Sequence, residues 1–226
     1  MRLNVLIVFM IMSTITTAQN TLTFQPMFGT QQLHLNNTSY TLENSKRVQF
    51  NSLRFYITHI EFLHNNAVVW KELQSYHLLN ADSPNTLHIQ LQPPGALQYN
   101  ALRFNVGVDS TTTVAGIMGG DLDPTQGMYW TWQSGYINFK LEGTCTDAPT
   151  RNNEFQYHLG GYISPFNTLQ TITLPVNSTT NITIAMDIQK FVLGLNIKET
   201  YRVMSPNTHA VELSQKLSSI FSVQQP

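Results

Sequence analysis

The feature that most constrains this chain is its punctuation. From Leu22 onward it is cut into short runs rich in aromatic and β-branched residues, separated by Gly, Pro, Asn and Asp. Such runs read as strands, and the separators supply the φ values that turns need. The predicted strands are Leu22–Phe28, Gln32–Leu35, Arg47–His64 with a break at Asn51-Ser52, Ala67–Leu73, Tyr76–Asn80, Thr86–Leu91 and Tyr99–Val108. Met128–Leu141, Phe155–Ile163, Leu169–Leu174 and Asn181–Ile188 follow. Within Tyr99–Val108, Leu102, Phe104, Val106 and Val108 are expected to point one way. Only His209–Val223 has apolar residues at helical spacing, with Pro206-Asn207 to start it. The fold expected is all-β: an antiparallel β-sandwich or jelly-roll-like single domain with a short C-terminal helix, over residues 19–226.

Residues 1–18 have the form of a secretory signal. Arg2 precedes the apolar run Val5–Met12, and Thr16-Thr17-Ala18 offers small residues for cleavage. The run is too short to span a bilayer, and no later stretch reads as a transmembrane anchor. Charged residues make up 11% of the chain, the net charge is −1, and there is no basic run. Nucleic acid is therefore not an expected partner. Cys145 is the single cysteine, so no intramolecular disulfide can form.

Gly119–Gly143 is the stretch with the most unusual chemistry. Asp121-Leu122-Asp123-Pro124 and Gly127 are turn residues, and Met128–Leu141 reads as one long strand. Trp130 and Trp132 would then share a face. Ile137, Phe139 and Leu141 share the opposite parity, so a β-bulge near Ser134-Gly135 would bring both sets to one side. Asp121 and Asp123, with Asp109, could instead form an oxygen-rich calcium loop, although local Asx turns explain them as well. No hydrolase nucleophile motif, zinc-protease motif or phosphate loop is present, and the seven histidines are scattered.

The segments GDLDP and GMYWTWQSGYINFKLEG, with Phe155–Gly161, resemble the MbnP-like family, periplasmic or surface copper-binding proteins related to MbnP, CorA and MopE. Leu22–Phe28, Leu53–Phe62 and Asn105–Asp109 resemble further landmarks of that family. The resemblance implies a non-enzymatic β-sandwich that binds one copper ion through histidine and a kynurenine made from tryptophan. It also implies a MauG-like di-haem cytochrome c peroxidase-type protein as the oxidant. Carried onto this chain, Trp130 or Trp132 is the kynurenine precursor and His158 an imidazole ligand. His59 and His34 are candidates for a second imidazole. Asp109, Asp121, Asp123 and Glu142 are candidates to hold a ligand histidine in place. A recognition module is the alternative, with Trp130, Trp132, Tyr129 and Tyr136 as an exposed aromatic platform for glycan or protein.

Overall fold

The structure is a computed structural model that describes residues 19–42, 45–95, 97–132, 135–177 and 180–224. The signal-segment reading of residues 1–18, and Ser134 of the expected bulge, lie outside the described residues. In chain order the strands are β1 (Asn20–Phe28), β2 (Gln31–Gln32), β3 (Ser39–Thr41), β4 (Arg47–His64), β5 (Ala67–Lys71), β6 (Tyr76–Asn80), β7 (His88–Leu91) and β8 (Ala101–Val106). They continue with β9 (Tyr129–Trp130), β10 (Gly135–Cys145), β11 (Glu154–Gly160), β12 (Gln170–Pro175), β13 (Asn181–Asp187), β14 (Arg202–Val203) and β15 (Phe221–Val223). The α-helices are α1 (Ser110–Ala115), α2 (Ile188–Val192) and α3 (Thr208–Lys216).

Two sheets face each other. The smaller runs β15-β13-β1-β2, with β7 also paired to β1. The larger is built on β4. Strand β1 alternates buried and half-buried residues along its whole length, as a strand with one covered face should. Its Phe24 meets Phe55, Phe104 and Phe221 edge to face, with centroids 5.6–6.5 Å apart. The sandwich is mostly antiparallel, as expected, but β1 pairs with β13, and β11 with β14, in parallel.

Strand β4 is continuous where a break was expected, and its inward side chains explain why. They run Val48, Phe50, then Leu53, Phe55, Ile57, then Ile60, Phe62. Parity switches twice, and each switch is a bulge. The register against β10 slips at Asn51, and the register against β8 slips between Thr58 and Glu61, where His59 has φ +52°.

The C-terminal helix is shorter than the sequence suggests. Asn207 caps it, its Oδ1 accepting from the Ala210 N–H at 2.8 Å. After a single 3₁₀ turn, Phe221–Val223 extends the edge of β13 instead of continuing the helix. Phe221 is more useful as a core side chain of that strand than as the last turn of an exposed helix. Helices α1 and α2 are additional, and both are too short to carry a readable apolar period.

Candidate functional site

Residues 54 and 55 of β4 pair with both β6 and β10, and residues 57 and 58 pair with both β6 and β8. Strands β8 and β10 therefore lie end to end along the same edge of β4. Val106 sits opposite Ile57, and Phe139 opposite Phe55. The described residues between them form an excursion that folds over the outer face of the large sheet. It buries a second apolar cluster there: Tyr56 and Leu78 from the sheet, with Val108, Leu122, Met128, Trp130, Tyr136 and Ile137. Leu102, Phe104 and Val106 do share the inner face, but Val108 belongs to this outer cluster. The turn at Gly107, φ +116°, separates them.

Asn138 closes the neck of the excursion. Ile137 pairs with Gly160 and Phe139 with Leu159, so Asn138 is the extra residue of a bulge. Its Oδ1 accepts from the Val108 N–H at 2.9 Å, and its Nδ2 donates to Thr168 Oγ1 at 2.9 Å. Its side chain also fills the space where a Cβ on Gly107 would stand. Tyr56 Oη donates to the Asp121 carbonyl at 3.0 Å. Burial pushes the Tyr56 phenol far above its ordinary pKa, so the proton needed for that bond is retained.

The tryptophan block is a hairpin rather than one long strand. Trp130 pairs with Gly135, and Tyr129 with Tyr136. Among the described residues of β10, a bulge against β11 falls at Asn138. As a result Ile137 faces the outer cluster while Phe139 and Leu141 face the sandwich core. The two indoles also part company: Trp130 is 2% exposed and Trp132 is 64% exposed. Their ring centroids are 6.0 Å apart with planes inclined at 37°. Tyr136 is buried and Tyr129 half-buried, so the four rings do not form an open platform.

Trp130 lies against Gly160. A Cβ at that position would come within 2.7 Å of Trp130 Cζ3 and 2.6 Å of the Tyr136 carbonyl oxygen. Glycine is required there because two fixed groups close on it. Trp130 Nε1 is buried and has no hydrogen-bond partner among the described residues. The indole borders a cavity of about 310 Å³, lined also by Gly135, Gly161, Tyr162, Ile163 and Phe166.

His158 is two residues before Gly160. Tyr157 and Leu159 point into the sandwich core, so His158 and Gly160 share the outer face on which Trp130 rests. His158 Nε2 is 2.7 Å from Glu142 Oε1. Of the four carboxylates expected as candidates, Glu142 is the one that meets this imidazole. The hydrogen bond from His158, aided by the Lys140 ammonium 3.7 Å away, holds the Glu142 carboxyl below its ordinary value of 4.5 against the opposing effect of burial.

A depressed carboxylate contributes stability that is fully present above its unfolded value and is lost as pH falls through the folded one. Glu142→Gln should therefore flatten the acid limb of the metal-free protein's melting curve below about pH 4.5. Neutral-pH stability should fall at the same time. An acid limb identical to the parent's would remove Glu142 from that titration.

The other candidates are elsewhere. His59 stands in the second bulge of β4, with Nε2 3.9 Å from Asp109 Oδ2 and its ring edge-on to Tyr76. His158 pairs with Lys140, which pairs with Arg54, five residues from His59. At about 3.3 Å per residue and about 4.8 Å per strand, the two histidines are roughly 15–20 Å apart. His34 lies in the exposed loop after β2.

The aspartates do not form the suggested calcium loop. Asp109 caps α1 and accepts from Thr112 and Tyr76, Asp121 accepts from the Leu78 N–H, and Asp123 accepts from Thr125. Each carboxylate satisfies its own neighbourhood. Among the described residues no three His, Cys, Asp or Glu side chains converge.

Asn138, Gly160 and Thr168 were not singled out in the sequence. The available signals were a lone Asn between Ile137 and Phe139, and the Gly160-Gly161 pair at a strand end.

The fold and site thus define a β-sandwich with a tryptophan-bearing excursion clamped over one sheet. The MbnP family model matches residues 17–208, and the chain belongs to that family. Among solved structures it is similar to MbnP from Methylosinus trichosporium, with 13% identity and a TM-score of 0.61. The match covers 92% of this chain and 99% of that one, and at this identity it speaks for the fold alone. No curated protein matches the sequence. No helix among the described residues is long and apolar enough to cross a membrane.

Proposed function

We propose that this is an extracytoplasmic copper-binding protein, not itself an enzyme, in which Trp130 is oxidised to kynurenine and His158 supplies an imidazole. The observation that carries this reading is the buried Trp130 Nε1, without a partner among the described residues, on an indole packed against Gly160 two positions from His158 on the same sheet face. An unsatisfied buried donor costs about 1–3 kcal/mol, so its presence calls for an explanation. Opening the pyrrole ring turns that N–H into an aromatic amine with a lone pair free to bind a metal.

Glu142 occupies His158 Nε2, which leaves Nδ1 as the donor and fixes the ring's orientation. An amine and an imidazole form a nitrogen set suited to copper. Bound copper would add a redox-active ion of small coordination number. His59 and His34 stand outside this arrangement. A di-haem enzyme of the MauG type is the proposed oxidant, and the leader-like residues 1–18 support export to the periplasm or cell surface.

Two measurements test the reading. Trypsin releases Phe104–Lys140 as one peptide, because no Lys or Arg interrupts it. Mass mapping of protein from its native host should find kynurenine at Trp130. His158→Ala should weaken copper binding by more than tenfold. Intact tryptophan at both positions, in cells that express the haem partner, together with unchanged copper affinity in the variant, would overturn the proposal.

A further inference from the structure

Trp130 is to be oxidised, yet it is buried beneath its own hairpin, and an oxidising protein cannot touch it. Trp132 is mostly exposed and its ring is 6.0 Å from Trp130, centroid to centroid. Electron transfer falls off exponentially with distance, so two short steps outpace one long one. No Asp, Glu, Lys or Arg occurs between Asp123 and Lys140, or between His158 and Asp187. The hairpin and the Gly161–Phe166 segment beside it are therefore free of formal charge. We propose that Trp132 is the relay through which electrons leave Trp130, a role that rests on Trp130 being the oxidised residue.

The step balances as follows. A one-electron oxidant at the surface, of the high-valent haem class, takes one electron from Trp132. The Trp132 radical cation takes one from Trp130. Burial disfavours a cation, so the positive charge rests mainly on Trp132. Capture of the Trp130 radical cation by water draws it inward, and the cavity beside the indole is large enough to hold water. With two waters as the oxygen source, cleavage of the indole C2–C3 bond gives N-formylkynurenine and releases four electrons and four protons. The electrons leave one at a time through Trp132, and the protons pass to water. A third water hydrolyses the formyl group, giving kynurenine and formate.

The test uses recombinant full-length mature protein and a photogenerated ruthenium(III) polypyridyl complex, so neither the haem partner nor copper enters. After repeated flashes, oxidation at Trp130 and at Trp132 is mapped by mass spectrometry. The parent protein should be modified at both positions. Trp132→Phe should lower the yield at Trp130 at least tenfold, with an unchanged melting temperature to show that the fold is intact. Trp132→Tyr, which retains an oxidisable ring, should restore most of the yield. Equal Trp130 oxidation in the phenylalanine variant would overturn the relay, as would consumption of Trp132 alone in the parent. Because the oxidant is synthetic, the relay can fail while native kynurenine is found, and it can succeed while native protein carries none.

Discussion

Trp130→Ala should cost about 3–5 kcal/mol of stability, the usual range for deleting a buried aromatic side chain. For a chain of this size that is a fall of roughly 6–20 °C in melting temperature. Trp130 is among the largest fully buried side chains, and it fills the space between the hairpin and Gly160. The change also removes an unsatisfied N–H, which offsets part of the loss. Trp132→Ala, two residues away, should stay within about 0.5 kcal/mol because its ring is mostly in solvent. Thermal unfolding of the two variants, measured side by side, checks the hairpin directly. Equal losses at both positions would mean that the indoles share one environment, as a single strand with one covered face would require.

Asn138→Leu should cost about 1–3 kcal/mol, chiefly from the buried Val108 N–H losing its acceptor, since the Thr168 hydroxyl keeps its bond to the Gly161 carbonyl. Leucine is close in size but cannot accept from the Val108 N–H or donate to Thr168 Oγ1. The effect should be local as well as global. Hydrogen exchange at Val108 should quicken, because that amide would have nowhere else to donate, and the Gly161–Thr168 segment should loosen with it. A loss under about 1 kcal/mol with unchanged exchange would show that the neck is held by packing alone.

The sheets were legible because each strand writes its covered face in the sequence, and β1 does so without interruption from Asn20 to Phe28. Bulges were harder. The parity switches at Asn51 and His59 are visible in the apolar positions of β4, but a switch can be read as a break or as a bulge, and only cross-strand pairing decides. The same ambiguity hid the bulge of β10 at Asn138. Ile137 and Phe139 have matching parity in sequence and opposite faces in the fold, because Asn138 is the extra residue between them.

The site was legible in its residue types and not in its pairings. The Trp130–Gly160 contact and the His158–Glu142 bond both follow from the β9–β10–β11 register, which no local pattern encodes. Phe221–Val223 shows the opposite failure: helical spacing was present, and tertiary pairing with β13 overrode it.

The end-to-end arrangement of β8 and β10 has a consequence for how such a protein can change. The chain departs opposite Ile57 and returns opposite Phe55, so the two ends of the excursion are held one pleat apart by the scaffold itself. The entropy of closing a loop between fixed ends rises only with the logarithm of its length, about 0.6 kcal/mol for each doubling. Insertions, and replacements between Val108 and Ile137 that again cover Tyr56 and Leu78, therefore leave the hydrogen-bonded edge of β4 filled and its partners in register. The excursion behaves as an exchangeable cassette, and new chemistry can be tried there while the sandwich beneath is inherited unchanged.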